Sequence, residues 1–245
     1  MKELLRRLVF VHKCVGCGTI LIEGDFDKAF CKDCIEKYLS SKMSICPECA
    51  EEAKACGCMP KFMKKDGVPS FRKLFFYDKN KRSEPQNRLV YFLKGNRSTR
   101  VAREAAKELS ELLFEELIKF EIPRSEAIIT FVPRSRSAVA MYGFDQSEVV
   151  GRELSKICEI EFSAALKRKR GGKPQKSLTA GERRKNIQKL LYANPKTADA
   201  LRGKTVILVD DVVTTGASMS ACVHILKEQG AKRILCLALS SDIKT

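Results

Sequence analysis

The stretch Val206-Ile-Leu-Val-Asp-Asp-Val-Val-Thr-Thr-Gly-Ala-Ser218 joins an apolar run, two adjacent carboxylates and a loop rich in hydroxyl groups. Its first four residues are apolar without interruption, which predicts a strand buried on both faces of a parallel sheet. Asp210 and Asp211 follow at the carboxyl end of this strand, where open α/β sheets bind their ligands. The next residues predict a helix from about Ser218 to Gln229, ended by Gly230. The stretch therefore predicts an α/β fold with a binding site at the end of one strand.

The loop after the two aspartates is suited to binding a phosphate. Because the loop opens a helix, its backbone N–H groups and the helix dipole can hold an anion, and Gly216 lets the backbone approach it closely. Asp210 and Asp211 can accept hydrogen bonds from two ribose hydroxyls beside that phosphate. The predicted catalytic residues are Asp210 and Asp211, and the predicted ligand-binding residues of the loop are Val213, Thr214, Thr215, Gly216, Ala217 and Ser218.

The same stretch resembles the 5-phosphoribosyl-1-pyrophosphate (PRPP) motif of type I phosphoribosyltransferases, and this implies their fold, a parallel sheet flanked by helices. The sequence Ile128–Val132 predicts a second buried strand, and Pro133, Arg134 and Ser135 follow it. In the phosphoribosyltransferase fold, the matching loop holds pyrophosphate through backbone amides and a basic side chain. The resemblance makes Arg134 the candidate for that side chain.

Eight of the 11 cysteines lie within the first 58 residues, as three CxxC pairs and one CxC pair. Two thiolates on one tight turn occupy half of a tetrahedral zinc shell, so the pairs predict structural zinc in a small zinc-ribbon-like domain. The spacing leaves open which pairs combine and how many ions are bound. The alternative, a disulfide framework, requires an oxidising compartment. The predicted metal ligands are Cys14, Cys17, Cys31, Cys34, Cys46, Cys49, Cys56 and Cys58.

The net charge of +16 is concentrated in two basic blocks. Residues 61–103 carry 13 basic and three acidic side chains, and residues 167–189 carry ten basic side chains and one acidic. Such blocks favour an anionic partner, namely a phosphate compound, nucleic acid or a lipid surface. The second block contains two glycines, a proline and no apolar periodicity, so it predicts a loop that closes over PRPP or contacts nucleic acid.

These features divide the chain into three predicted parts. Residues 1–60 form a cysteine-rich zinc-binding domain, residues 61–96 a basic linker or hood with short strands, and residues 97–245 a phosphoribosyltransferase domain. Apolar residues at helical spacing predict helices at Arg97–Phe120 and Gln146–Cys158 in the third part. No apolar run approaches the roughly 20 residues of a membrane-spanning helix, and the first residues lack the features of a secretory signal.

A cysteine-rich zinc head joined to a PRPP-motif domain resembles the ComF family of competence-associated, phosphoribosyltransferase-like proteins. The matching segments include Leu93-Lys94-Gly95, Val132-Pro133 and Gln175 to Asn186, the last lying in the basic loop. The segment Tyr142-Gly-Phe-Asp-Gln146 departs from the family pattern, because Tyr142 and Asp145 replace an arginine and an asparagine.

This resemblance implies PRPP binding with Mg²⁺ and assistance to single-stranded DNA that enters the cytoplasm during natural transformation. It also implies partners, a DNA-uptake helicase and an inner-membrane channel, and a cytoplasmic location peripheral to the inner membrane. Two alternatives stay open: a nucleobase salvage phosphoribosyltransferase that releases pyrophosphate from PRPP, and a non-catalytic regulator that senses nucleotides. The acceptor and the oligomeric state are also open.

Overall fold

The computed structural model describes residues 11–22, 24–169, 187–197 and 199–242. Five parallel strands form the main sheet, and a short antiparallel hairpin lies beside it. The strands are β1 (Ser70–Tyr77), β2 (Ala127–Phe131), β3 (Glu161–Phe162), β4 (Leu166–Arg168), β5 (Leu191–Ala193), β6 (Thr205–Val213) and β7 (Arg233–Asp242). The order in the main sheet is β1-β7-β6-β2-β3, and β4 pairs with β5.

Helices flank this sheet on both faces. The helices whose whole extent is described are α1 (Lys32–Lys42), α2 (Lys61–Lys65), α3 (Pro85–Gly95), α4 (Thr99–Lys119), α5 (Arg136–Tyr142), α6 (Gln146–Cys158) and α7 (Ala217–Glu228). Short 3₁₀ turns occur at Arg124–Glu126 and Asp199–Leu201. Among the helices of the described residues, none has the length and apolar character that crossing a bilayer requires.

The apolar run before the two aspartates is buried on both faces of the sheet, as predicted. Ile207 and Val209 belong to a core cluster shared with α4 and α6. Val206 and Leu208 belong to a second cluster, which includes the buried face of α7. Since alternate residues of a strand point to opposite faces, a strand that is buried on both faces needs apolar residues at every position. The predicted α/β fold is confirmed.

The helix bounds agree with the sequence pattern to within two residues. Helix α6 has the predicted bounds. Helix α4 begins two residues later than predicted and ends one residue earlier. Helix α7 begins and ends one residue earlier than predicted. Asp145 caps α6, because its carboxylate accepts the N–H of Ser147. Residues 170–186, which contain most of the predicted basic loop, lie outside the described residues.

The segment 61–96 differs from the predicted linker with short strands. It contains one strand of eight residues, β1, between the helices α2 and α3. Strand β1 pairs in parallel with β7 from Ser70–Leu235 to Tyr77–Asp242 and forms an edge of the main sheet. The segment is therefore part of the main sheet, while the division of the chain into domains stays a prediction.

One acidic face of α4 holds the cysteine-rich segment against the sheet. Glu104 accepts the backbone N–H of Ala29, and the other glutamates of this face bind hydroxyl or cationic groups. The remaining pairs are Glu108 with Tyr38 and Lys42, Glu111 with Lys54, and Glu115 and Glu116 with Arg72. The glutamates of this helix are thus paired with other groups of the same chain.

Arg72 is the most connected of these partners. Its Nη1 lies 2.6 Å from Glu116 Oε1, its Nη2 lies 2.7 Å from Glu115 Oε2, and both Nε and Nη2 donate to the carbonyl oxygen of Lys54. The Glu116 side chain is only 1% exposed, whereas that of Glu115 is 54% exposed. Arg72 therefore compensates a buried charge and joins β1, α4 and the second half of the cysteine-rich segment.

We expect Arg72→Met to lower the free energy of unfolding by about 3–5 kcal/mol, because it leaves the Glu116 carboxylate buried and unpaired. The double variant Arg72→Met/Glu116→Leu should regain most of this loss, since it removes the uncompensated charge as well. Urea unfolding followed by circular dichroism measures both changes.

The control is Arg124→Met, because Arg124 pairs with Glu159 on the surface, where the side chains are 51% and 81% exposed. This control should cost less than about 1 kcal/mol. An equal loss of unfolding free energy in Arg72→Met and Arg124→Met would show that the buried ion pair contributes no more to stability than the exposed one.

Candidate functional site

Asp210 and Asp211 lie within the last four residues of β6, at the edge of the sheet where β2 also ends. Asp211 is buried and its charge is well partnered. Its Oδ2 accepts a hydrogen bond of 3.0 Å from Gln146 Nε2 and lies 3.3 Å from Lys94 Nζ, while its Oδ1 accepts the N–H of Val212. Helices α3 and α6 each supply one of these partners, so the position of Asp211 depends on both.

Asp210 is half-buried and faces a different environment. Its Oδ1 accepts hydrogen bonds from Ser147 Oγ at 3.2 Å and from the N–H of Asp211 at 2.9 Å. Burial, followed by the neighbouring charge of Asp211, raises the pKa of Asp210 well above its usual value. The two adjacent carboxyl groups thus differ in their surroundings. Lys94 neutralises the charge of Asp211, whereas Asp210 lies at the opening of the site.

The predicted phosphate loop encloses a small cavity of about 60 Å³. Gly216 has a φ of +75° and precedes the first residue of α7. A Cβ atom on Gly216 would lie 2.9 Å from Pro60 Cβ and 3.1 Å from Met63 Cγ, so a larger residue does not fit. The structure brings all six predicted loop residues, Val213, Thr214, Thr215, Gly216, Ala217 and Ser218, to this cavity together with Asp210.

The loop of Pro133, Arg134 and Ser135 follows β2 and lies beside the aspartates. The N–H of Arg134 donates to Asp145 Oδ2 at 2.6 Å, and its Nη1 donates to the carbonyl oxygen of Lys94 at 3.0 Å. The guanidinium lies 4.5 Å from the centroid of the Tyr142 ring, within the range of a cation–π contact. Tyr142 and Asp145, the two departures from the family pattern, therefore both position Arg134.

Sequence reasoning missed three residues of this site as functional groups, namely Lys94, Gln146 and Ser147. Lys94 and Gln146 stand in segments that carry the family resemblance, but nothing in their spacing shows that they contact the aspartates. Lys94 precedes Asp211 by more than 100 residues, and Gln146 and Ser147 are separated from the pair by more than 60. Only the packing of α3 and α6 around β6 brings them together.

The cysteines form two groups of four, each with all its Sγ atoms within 4.8 Å of one another. The first group combines Cys14, Cys17, Cys31 and Cys34, and the second combines Cys46, Cys49, Cys56 and Cys58. The pairs thus combine sequentially along the chain, and all eight thiols are free. Each group can hold one metal ion.

The distances between sulfurs fit a tetrahedral metal–thiolate centre. Cys17 Sγ lies 3.7 Å from Cys31 Sγ, and Cys49 Sγ lies 3.6 Å from Cys56 Sγ. A metal–sulfur bond of about 2.3 Å gives a tetrahedral edge of about 3.8 Å, whereas a disulfide bond is about 2.05 Å long. The geometry agrees with metal ligation and not with a disulfide framework.

A buried lysine lies beside the second cysteine group. The Lys73 side chain is 1% exposed, and its Nζ donates to the carbonyl oxygen of Cys56 at 2.8 Å. A buried cation requires a compensating negative charge nearby. Four thiolates around one divalent cation supply such a charge, so Lys73 fits a metal-loaded centre.

Residues 144–244 match the phosphoribosyl transferase domain family, so the fold and the site define a protein with a phosphoribosyltransferase domain. The chain is 25% identical to competence protein F of Haemophilus influenzae over 232 residues, 92% of this chain and 95% of that protein. It is 25% identical to competence protein ComFC of Streptococcus pneumoniae over 239 residues, 93% of this chain and 99% of that protein. It is 27% identical to DNA utilization protein YhgH of Escherichia coli O157:H7 over 216 residues, 83% and 86% of the two chains. Over most of its length the chain is therefore similar to proteins named for competence and DNA utilization.

Asp145 should give the stability of the protein a pH dependence in the weakly acidic range. Burial raises the pKa of Asp145 to about 6 from a usual value of 3.8. The folded protein therefore binds this proton more tightly than the unfolded chain, so the stabilisation is complete below about pH 4 and is lost as the pH rises through about 6.

We expect Asp145→Asn to flatten the change in unfolding free energy between about pH 4 and pH 6, measured by urea titration at several pH values. The control is Asp27→Asn, at an exposed position. Retention of the wild-type pH dependence by Asp145→Asn would contradict the assignment.

The two cysteine groups should bind one metal ion each. We expect elemental analysis of the purified protein to find about two ions per chain, and Cys17→Ser and Cys49→Ser to lose about one each. The control is Cys158→Ala, because Cys158 is buried and lies in neither group. Loss of both ions from each serine variant, or of none, would contradict two independent centres.

Proposed function

We propose that the protein binds PRPP with Mg²⁺, transfers its ribosyl phosphate to a nucleophilic acceptor with release of pyrophosphate, and acts in the handling of incoming single-stranded DNA. The observation that carries the proposal is the convergence of three groups at one edge of the sheet. These are the aspartate pair, the loop at residues 213–218 and the loop at residues 133–135.

In the proposed complex, the loop at residues 213–218 holds the 5-phosphate through its backbone N–H groups and the N-terminus of α7. Asp210 and Asp211 accept hydrogen bonds from the ribose hydroxyls. The backbone of Pro133, Arg134 and Ser135, with the Arg134 guanidinium, holds the pyrophosphate. PRPP thus spans the ends of two neighbouring strands, β6 and β2, which are paired from Ala127–Thr205 to Phe131–Val209.

Departure of pyrophosphate develops positive charge on the ribose, and nearby carboxylates stabilise that charge. Lys94 holds the Asp211 carboxylate in place, and Gln146 fixes the same oxygen from the other side. Ser147 orients the Asp210 carboxyl by donating its hydroxyl. These contacts pre-organise the pair before the substrate binds.

Mg²⁺ would neutralise negative charge on the departing pyrophosphate. Asp210, half-buried at the opening of the site, and Asp211 would hold the ion together with the substrate oxygens, directly or through water. Carboxylate and phosphate oxygens are the donors that Mg²⁺ prefers, so the residues present fit this group.

For the cysteine groups we propose zinc, since four thiolates with tetrahedral spacing are its usual structural shell. Each proposed site uses all four positions for protein ligands, which is typical of structural rather than catalytic zinc. The proposed role is to fold residues 1–60, with Lys73 balancing the charge of the second centre.

The role in DNA handling is supported by the relatives, whose names are competence protein F, competence protein ComFC and DNA utilization protein YhgH. The two basic blocks at residues 61–103 and 167–189 supply the charge that a phosphodiester strand requires. By the family resemblance, we propose work beside a DNA-uptake helicase and an inner-membrane channel, in the cytoplasm and at the membrane periphery.

The proposal predicts saturable binding of PRPP in the presence of Mg²⁺, measured by calorimetry. The double variant Asp210→Asn/Asp211→Asn should weaken this binding at least about tenfold, because each lost charge-assisted hydrogen bond is worth about 1.5–3 kcal/mol. The control Asp27→Asn/Asp199→Asn changes two exposed acids of the same type and should bind as the wild type does.

Absence of PRPP binding by folded, metal-loaded protein would overturn the proposal. Pyrophosphate release that requires a purine or pyrimidine base would instead establish a salvage enzyme. Binding of PRPP without turnover and without DNA binding would establish a nucleotide-sensing regulator.

A further inference from the structure

A large open cleft is lined by the loop at residues 133–135. Its volume is about 980 Å³, at the upper end of the range of about 300–1,000 Å³ for small-molecule pockets. Seven cationic side chains line it against two acidic ones. The cationic residues are Arg97, Arg134, Arg136, Arg152, Lys167, Arg168 and Lys169.

Four of these cations are exposed at the cleft and take no part in the proposed PRPP site, namely Arg97, Arg136, Arg152 and Lys169. Arg136 is fixed by a hydrogen bond of 2.9 Å from its Nε to the carbonyl oxygen of Arg168. Arg152 is oriented by Glu148 and lies with its guanidinium 4.4 Å from the centroid of the Phe162 ring. Arg136 and Arg152 are therefore held in place by contacts that do not use all of their N–H groups, so each retains donors for an anion.

The wall between the cations is apolar. Phe131, Val139, Phe144, Val149 and Leu166 line the same cleft. Proteins that bind single strands combine a cationic groove for the backbone with apolar or aromatic surface for the bases. The paired bases of a duplex are stacked inside the helix and would not reach this wall.

The cleft adjoins the proposed PRPP site through one loop, because Pro133, Arg134 and Ser135 line the cleft and also form the proposed pyrophosphate loop. The Arg134 side chain also donates to the carbonyl oxygen of Lys94, whose Nζ pairs with Asp211. An anion in the cleft and the pyrophosphate of PRPP would share this loop, and like charges so close together repel.

We propose that this cleft binds the phosphodiester backbone of single-stranded DNA, and that strand binding and PRPP binding weaken each other through the loop at residues 133–135. This inference rests on the proposed function, because it assigns the DNA surface and links it to the PRPP site. By thermodynamic linkage, the factor by which PRPP weakens strand binding equals the factor by which the strand weakens PRPP binding.

The test measures binding of a fluorescent oligothymidylate of roughly a dozen nucleotides by anisotropy, at several salt concentrations. The cleft variant Arg97→Gln/Arg136→Gln/Arg152→Gln is compared with the control variant Lys37→Gln/Lys107→Gln/Lys119→Gln. The control removes the same charge from exposed positions on α1 and α4, outside the cleft. Urea unfolding and metal content verify that both variants are folded.

We expect the cleft variant to lose at least about tenfold in strand affinity and to lower the slope of log K against log salt by about 2, since each phosphate contact contributes about 0.7. The control variant should stay within about twofold. Saturating PRPP with Mg²⁺ should weaken strand binding by the wild type about three- to tenfold, and the strand should weaken PRPP binding by the same factor.

Equal losses in the two triple variants would overturn the cleft as the binding surface. Equal affinity for a duplex of the same length would overturn the single-strand assignment, and strand affinity that PRPP leaves unchanged or raises would overturn the coupling. Strand binding by the cleft without any PRPP binding would reject the proposed function and the coupling while retaining the cleft, so the failures are distinguishable.

Discussion

The arrangement of the site depends on holding two adjacent carboxyl groups, Asp210 and Asp211, in partly buried positions at one sheet edge. Two neighbouring negative charges with little water around them repel each other and lose hydration. Lys94 compensates the charge of Asp211, and Gln146 donates a hydrogen bond to the same carboxylate. Ser147 donates a hydrogen bond to Asp210. These partners come from α3 and α6, so the environment of the aspartate pair depends on the packing of both helices.

The cysteine-rich segment is connected to the site at the phosphate loop. Pro60 and Met63 follow the second cysteine group directly and lie against Gly216, so closely that a Cβ atom there would collide with Pro60. The lysine that balances the second group, Lys73, belongs to β1 in the main sheet. The second cysteine group and the loop at residues 213–218 are therefore connected through direct packing.

The glutamates of α4 and the cations of the large cleft lie in different parts of the molecule. Three glutamates of α4, Glu104, Glu108 and Glu111, pair with groups of the cysteine-rich segment, and Glu115 and Glu116 pair with Arg72 of β1. Because these acids are used internally, the cations around the large cleft are not neutralised by them. Within the described residues, the cleft carries seven cations and two acids, one of which, Asp145, is engaged by the N–H groups of Arg134 and Ser147.

The sequence by itself determined the local features of this protein. The uninterrupted apolar run at Val206–Val209 required a strand buried on both faces, the aspartates and Gly216 predicted a loop that binds a ribosyl phosphate, and the cysteine pairs indicated metal. Each of these depends on residues close together in the chain, whose periodicity or turn chemistry is visible in a short window.

Tertiary structure alone decided which distant groups meet. The sequential combination of the cysteine pairs, the pairing of Lys94 with Asp211 and the placement of β1 at the sheet edge join residues far apart in the chain. The spacing of two such residues in the sequence does not show that they meet, because a chain can close loops of many lengths at nearly equal entropic cost. The packing of the whole core selects among these closures, and a segment such as residues 61–96 becomes strand and helix only when the sheet supplies its neighbours.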